Sequence, residues 1–280
     1  MSAQPAADSP VLEQLLETYV ERHLVRPLRR AWVKAVLKKL MAVEEIRRLL
    51  TDLKGLTDFD AVDAILQRLA FSVHYTHTER IPPRGRLLVV ANHPVGAADV
   101  FVMLQCLHHV RNDVRVVINK LGPQLVPPIR RLCLPVDRYS TFDPEARSRI
   151  RAALLQDQAV ILFPAGGISK LTWRGIRDHR WKHGAVHFVR DCQTNVLPVY
   201  IAGRSSLPFL CLPRNLRHFL VARDMLHPVR QRITVAVGLP VAYTMLTTGT
   251  VAAATQRLQQ TVYALAKSPT ALYIPKGAKK

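Results

Sequence analysis

Two short apolar runs constrain this chain most. Arg86-Leu-Leu-Val-Val-Ala91 and Ala159-Val-Ile-Leu-Phe163 are each followed by a turn containing Gly and Pro. Apolar runs of this length, bounded by turn signals, read as strands covered on both faces. Val114 to Ile118, Val196 to Ile201 and Ile233 to Val237 read as further strands. Helical spacing spans Asp99 to His109, Glu145 to Gln156, Trp181 to Asp191 and Val251 to Leu265. Asp58 is placed to cap another helix through Phe71. Strands alternating with helices imply an α/β fold with a mainly parallel central sheet flanked by helices.

Composition narrows the partners. The 280 residues carry 40 Lys+Arg against 20 Asp+Glu, a formal charge of +20, and are 49% hydrophobic. Such a chain has enough apolar material for a core, so intrinsic disorder is excluded. The charge asks for a polyanion: nucleic acid, an anionic membrane, or an acidic or phosphorylated substrate. Aromatics at 6% argue against nucleic acid, because single-strand binders stack bases on aromatic rings. Cys106, Cys133, Cys192 and Cys211 are too far apart for a zinc motif, and a reduced, intracellular chain is expected. Met1 to Pro10 shows no signal-peptide pattern, and no run of 18 apolar residues would cross a bilayer.

Residues 1–9 are expected to be disordered, residues 10–70 to form an N-terminal helical region, and residues 269–280 to be a basic tail. Within the N-terminal region Pro27 interrupts the helical pattern. Trp32, Val33, Val36, Leu37, Leu40 and Met41 then repeat at helical spacing. Arg22 to Lys39 holds seven Lys/Arg and no acid. An apolar face opposite such cations fits a helix lying in a membrane interface.

The chemistry concentrates at two strand ends, where open α/β sheets bind ligands. After Ala91 come Asn92-His-Pro-Val-Gly-Ala-Ala-Asp99. Asp99 lies six residues beyond His93 near a helix start, where a tight turn can bring its carboxylate to one imidazole nitrogen. The other nitrogen is then free to take a proton from a substrate hydroxyl. After the second strand come Phe163-Pro-Ala-Gly-Gly-Ile-Ser-Lys170, whose backbone N–H groups, with Ser169 and Lys170, can hold a phosphate. Arg174, Arg177, Arg180 and Lys182 follow, with Trp173 and Trp181 among them.

Asn92-His-Pro-Val-Gly-Ala-Ala-Asp99 resembles the first block of the glycerolipid acyltransferases, the lysophosphatidic acid acyltransferase-like superfamily. It is most similar to the bacterial Asn-His-Pro-x-Gly branch, which includes hemolysin-type and lyso-ornithine-lipid acyltransferases. Leu134-Pro-Val-Asp-Arg138, Phe163-Pro-Ala-Gly166 and Val196-Leu-Pro-Val-Tyr-Ile201 resemble the second, third and fourth blocks, in the family's order. The resemblance implies an acyltransferase domain over residues 71–268 and a catalytic pair in which Asp99 orients His93 as general base. Asn92, Gly96, Arg138, Gly166, Gly167, Ser169, Lys170, Arg174 and Arg177 are the implied substrate-binding residues. It further implies a lysolipid acceptor, acyl-CoA or an acidic acyl carrier protein as co-substrate, and neither cofactor nor metal. The expected location is the cytoplasmic face of the inner membrane, peripheral or monotopic, against an anionic surface. Oxyanion donors are expected among the N–H groups of the turn after His93.

One departure bears on the substrate. The widespread third block carries Glu after Phe-Pro and Arg further on, which bind glycerol phosphate; here those positions are Ala165 and Ile168. Two weaker features, His108-His109 and Arg204-Ser-Ser206, read as a solvated helix surface and as either a turn or a substrate contact. A basic tract over residues 204–232 is a further candidate contact for a membrane or carrier protein. The alternatives are a nucleic-acid-binding protein, resting on charge alone, and a catalytically silent lipid-binding relative.

Overall fold

The computed structural model of the chain describes residues 39, 42–137, 143–173, 175–206, 209–210, 221–226 and 232–267. The amphipathic stretch before residue 39, Arg138, Arg174, most of the 204–232 tract and the basic tail lie outside them.

Among the described residues, seven strands form the main sheet. In chain order they are β1 (Ser72–Thr76), β2 (Leu87–Ala91), β3 (Val114–Asn119), β4 (Cys133–Val136), β5 (Ala159–Leu162), β8 (Asn195–Ala202) and β9 (Arg232–Val237). Between β5 and β8, β6 (Lys170–Thr172) and β7 (Gly175–Arg177) make a separate antiparallel hairpin. The spatial order is β1-β9-β8-β2-β5-β3-β4. All neighbours are parallel except β8 and β9, so the sheet is mainly parallel as expected, with β1 and β9 running against the rest.

β2 shows why the sheet is buried on both sides. Leu87, Val89 and Ala91 enter one core cluster, while Leu88 and Val90 enter another, and all five are at most 1% exposed. Alternate side chains of a strand point to opposite faces, so a run without polar residues needs a cover on each. On the first face lie α1 (Val43–Asp52), α2 (Asp58–Leu69) and α3 (Ala97–His108). On the second lie α4 (Pro144–Leu155), α5 (Gly184–Cys192) and α6 (Val251–Ala264). Burying a side chain such as Ile65 or Leu154 contributes about 1.5–3 kcal/mol each. Helices α1 and α2 fall within the region expected at residues 10–70, yet Leu49, Val62, Ile65 and Leu69 share one core with the sheet.

Several local expectations need correction. His108 is half-buried, with its ring stacked on Phe59 at 3.9 Å, while His109 is exposed as expected and sets its ring edge-on to Tyr75. The expected helix at Trp181 starts at Gly184, because the Trp181 indole is drawn aside by a hydrogen bond to Asp178. Ser205 is fully buried, and its N–H and hydroxyl both donate to the Pro94 carbonyl, so it braces the turn after β2 instead of meeting substrate.

At the amino ends of β2, β3 and β5, buried Arg111 donates to Asp113 and to the carbonyls of Pro82, Gly85 and Asp157. That cation is satisfied structurally, at the end of the sheet opposite the Gly- and Pro-containing turns. Among the described residues, no helix is long and apolar enough to cross a membrane.

Candidate active site

The loops after β2 and β5 meet at the carboxyl ends of adjacent parallel strands. His93 leaves the end of β2. Its Nδ1 lies 2.9 Å from Oδ2 of Asp99, in the first turn of α3. The same oxygen accepts the N–H groups of Val95 at 2.9 Å and Gly96 at 3.1 Å. The turn therefore wraps round the carboxylate, and Gly96 makes it possible with φ +82°, a conformation that costs a side chain dearly. With Asp99 ionised, Nδ1 carries the proton it donates and Nε2 keeps a lone pair. The His93 ring stacks on Phe163 at 4.4 Å between centroids, so its plane is fixed from two directions. Its side chain is 15% exposed against 0% for Asp99, so the imidazole is the member of the pair that reaches solvent.

Burial pushes the Asp99 carboxyl above the usual carboxylate range, opposed by its contact with His93 and the two backbone donors. Its other oxygen, Oδ1, is buried without a hydrogen-bond partner among the described residues. A carboxylate held this dry interacts strongly with a charge forming on the neighbouring ring.

Asp178 is a second buried carboxylate, and sequence reasoning misses it. Its Oδ1 accepts the main-chain N–H of His93 at 3.1 Å and the Ser169 hydroxyl; its Oδ2 accepts the Trp181 indole N–H at 2.8 Å. The N–H of Asp178 donates to the Tyr263 hydroxyl on α6, and Ser169 N–H donates to the His93 carbonyl at 2.8 Å. Both sides of the His93 backbone are thus held by the loop after β5. The available signal is that Asp178 is the sole acid between Asp157 and Asp191, inside a basic tract.

The expected substrate-binding residues divide. Asn92 turns inward: it is 3% exposed and its amide both donates to and accepts from the Ile201 backbone, clamping β2 to β8. Ser169, 1% exposed, spends its hydroxyl on Asp178 and is a brace instead of a phosphate ligand. Gly96 shapes the turn round Asp99. Gly166 and Gly167 lie in the turn after β5, where Gly166 N–H donates to the Phe163 carbonyl and Gly166 itself is exposed. Lys170 and Arg177 are exposed on the hairpin, with the Arg177 guanidinium 5.2 Å from the centre of the Tyr263 ring. Arg138 and Arg174 lie outside the described residues. The oxyanion expectation narrows as well, since the amides of Val95 and Gly96 are already bonded to Asp99.

The two departures from the widespread third block are apolar in space as well as in sequence. Ala165 is buried in the second core cluster, and Ile168 sits so close to Gly96 that an added Cβ there would lie 2.9 Å from its Cδ1.

The family model described as Acyltransferase matches residues 18–226 of this chain. The chain belongs to the acyltransferase family. The match takes in the helices before the sheet as well as the loops round His93. The lyso-glycine lipid O-acyltransferase of Phocaeicola vulgatus is 26% identical over 245 residues, covering 84% of this chain and 88% of its own. That of Bacteroides thetaiotaomicron is 26% identical over 222 residues, covering 76% of this chain and 81% of its own. Among solved structures, the 1-acyl-sn-glycerophosphate (LPA) acyltransferase PlsC from Thermotoga maritima is similar at a TM-score of 0.47 and 15% identity, over 92% of this chain and 90% of that one.

Proposed function

We infer that this acyltransferase transfers a fatty acyl group from acyl-CoA or acyl-acyl carrier protein to the free hydroxyl of a lysolipid at a membrane surface. The observation that carries the reading is the pair His93 and Asp99: an imidazole open to solvent whose Nδ1 is held by a fully buried carboxylate. The acceptor hydroxyl gives its proton to Nε2 of His93 while its oxygen attacks the thioester carbonyl. The new C–O bond forms, the C–S bond breaks, and the proton passes from the imidazolium to the departing thiolate. Asp99 fixes the tautomer and stabilises the imidazolium. General base catalysis of this kind contributes about 10²- to 10⁴-fold. The chain has no Gly-x-Ser-x-Gly elbow, so the acyl group goes directly from donor to acceptor.

For the acceptor, an amino-acid lysolipid fits better than a glycerol phosphate. The apolar side chains of Ala165 and Ile168 offer no charge to a phosphate, and both curated relatives are named for a lyso-glycine lipid. The basic N-terminal stretch and the exposed cations round the site suit the anionic, cytoplasmic face of a membrane. A direct assay supplies purified enzyme with labelled acyl-CoA or acyl-acyl carrier protein and three acceptors: lyso-glycine lipid, lyso-ornithine lipid and 1-acylglycerol-3-phosphate. Preferred transfer to an amino-acid lysolipid is expected. Transfer to the glycerol phosphate alone would overturn the head-group reading, and transfer to none would overturn the activity.

A further inference from the structure

The hairpin β6–β7 leaves the site between two residues that both hold His93. Ser169, just before β6, donates its N–H to the His93 carbonyl; Asp178, just after β7, accepts the His93 N–H; and the Ser169 hydroxyl joins the two at the base. The eight residues between them project from the catalytic histidine's own backbone. A stem of three residues per strand reaches about 10 Å.

What the hairpin presents is unusual for a soluble surface. Trp173 at its turn is 86% exposed and Leu171 on its stem 50%, the former being the most exposed large apolar side chain among the described residues. Large aromatic surface in water is costly, and an exposed apolar tip marks a contact. The stem pairs Lys170 directly opposite Arg177, and among the described residues neither cation has a carboxylate within ion-pair distance. Like charges facing each other across two strands are destabilising until an anion joins them. Two local features hold the turn in shape. Gly175 takes φ +91°, and the Thr172 hydroxyl closes the loop by donating to the Gly175 carbonyl. An indole at a tip, above two unneutralised cations, matches the layering of an anionic bilayer, where aromatics sit at the headgroup level and cations meet phosphates.

We propose that the hairpin Lys170–Arg177 is an interfacial anchor that inserts Trp173 and Leu171 into an anionic bilayer, and so seats His93 at the lipid surface. This rests on the reading that the enzyme works on lipids in a membrane. It differs from the N-terminal amphipathic stretch in carrying the contact straight to the catalytic backbone.

The chain's three tryptophans make the experiment direct: Trp32 in the amphipathic stretch, Trp173 at the tip, and Trp181, which is 2% exposed. Full-length protein is mixed with phosphatidylcholine–phosphatidylglycerol vesicles containing bromolipids that quench indoles in the headgroup region. Quenching is expected in wild type and in Trp32→Phe, with a clear reduction in Trp173→Phe. The pair Leu171→Ser with Trp173→Ala should weaken vesicle partition on the order of tenfold to a hundredfold, given the apolar area withdrawn. Both side chains are exposed, so the melting temperature should not move, and it serves as the folding control. Quenching that Trp173→Phe leaves intact would overturn the proposal. So would Trp173 emission that ignores vesicles but shifts with acyl carrier protein, which would assign the hairpin to a protein partner. Binding needs no substrate, so the outcomes separate. Trp173-dependent binding without lysolipid acylation would refute the substrate reading and uphold the anchor. Lysolipid acylation with Trp173 unquenched would do the reverse.

Discussion

The Asp178 carboxylate accepts the main-chain N–H of His93 at 3.1 Å across 85 residues of sequence. It also collects the Ser169 hydroxyl and the Trp181 indole, so each of these three partners is a donor. Asp178→Asn places an amide N–H against one of those donors, leaving a buried group unsatisfied at about 1–3 kcal/mol. The His93 backbone should shift, with kcat falling about tenfold or more while KM changes little. Trp181→Phe removes the opposing indole N–H. The double variant should therefore recover part of both losses, with a coupling on the order of 1 kcal/mol in a thermal-denaturation and kcat cycle. Strict additivity would show that the Asp178 network does not position His93.

Asp99→Asn separates charge from geometry. The amide oxygen can still accept from His93, Val95 and Gly96, but the charge proposed to stabilise the imidazolium is gone. We expect kcat to fall about 10²- to 10⁴-fold.

The same substitution carries a stability signature. Burial raises the Asp99 pKa, so the folded chain holds that proton more tightly than the unfolded chain. The associated stability is fully present below the ordinary carboxylate pKa and is lost as pH rises through the folded value. Asp99→Asn removes that loss. The variant should match or exceed wild type in stability at neutral pH, and its advantage should shrink on acidification. Melting curves across that range measure it; a variant that gains most at low pH would contradict the assignment.

Gly96→Ala meets two separate penalties: positive φ, at about 1–2 kcal/mol, and the 2.9 Å approach to Ile168 Cδ1. Combining it with Ile168→Ala relieves only the contact. The double variant should regain part of the melting temperature while activity stays low, because the turn round Asp99 remains strained.

Burial pushes the thiols of Cys106 and Cys133 up to about 12, so neither is a thiolate at neutral pH. Peptide mapping after iodoacetamide should find both unmodified in the folded chain and alkylated after denaturation.

Legibility in the sequence follows distance along the chain. His93 and Asp99 are legible because one turn joins them. So are the central strands, whose unbroken apolar runs need cover on both faces. The inward turn of Asn92 is not legible, because its partner Ile201 lies 109 residues away on β8 and nothing local says that an amide beside His93 faces inward. Ser169 misleads for the same reason, its hydroxyl being claimed by Asp178 across the hairpin. The reversed direction of β9 is hidden, since side-chain alternation is the same whichever way a strand runs. Trp181 fits the helical spacing of Ala185 and Phe188, yet its indole answers to a carboxylate that spacing does not register.

The proposed mechanism depends on proton transfer from the acceptor hydroxyl to His93. It is tested most directly by single-turnover acyl transfer from labelled donor to lyso-glycine lipid, comparing wild type with His93→Ala and with His93→Gln as a folding-conservative control. A rate loss of about 10²- to 10⁴-fold is expected in both variants, with little change in melting temperature. Transfer at the wild-type rate by either variant would contradict the role of His93 as the base.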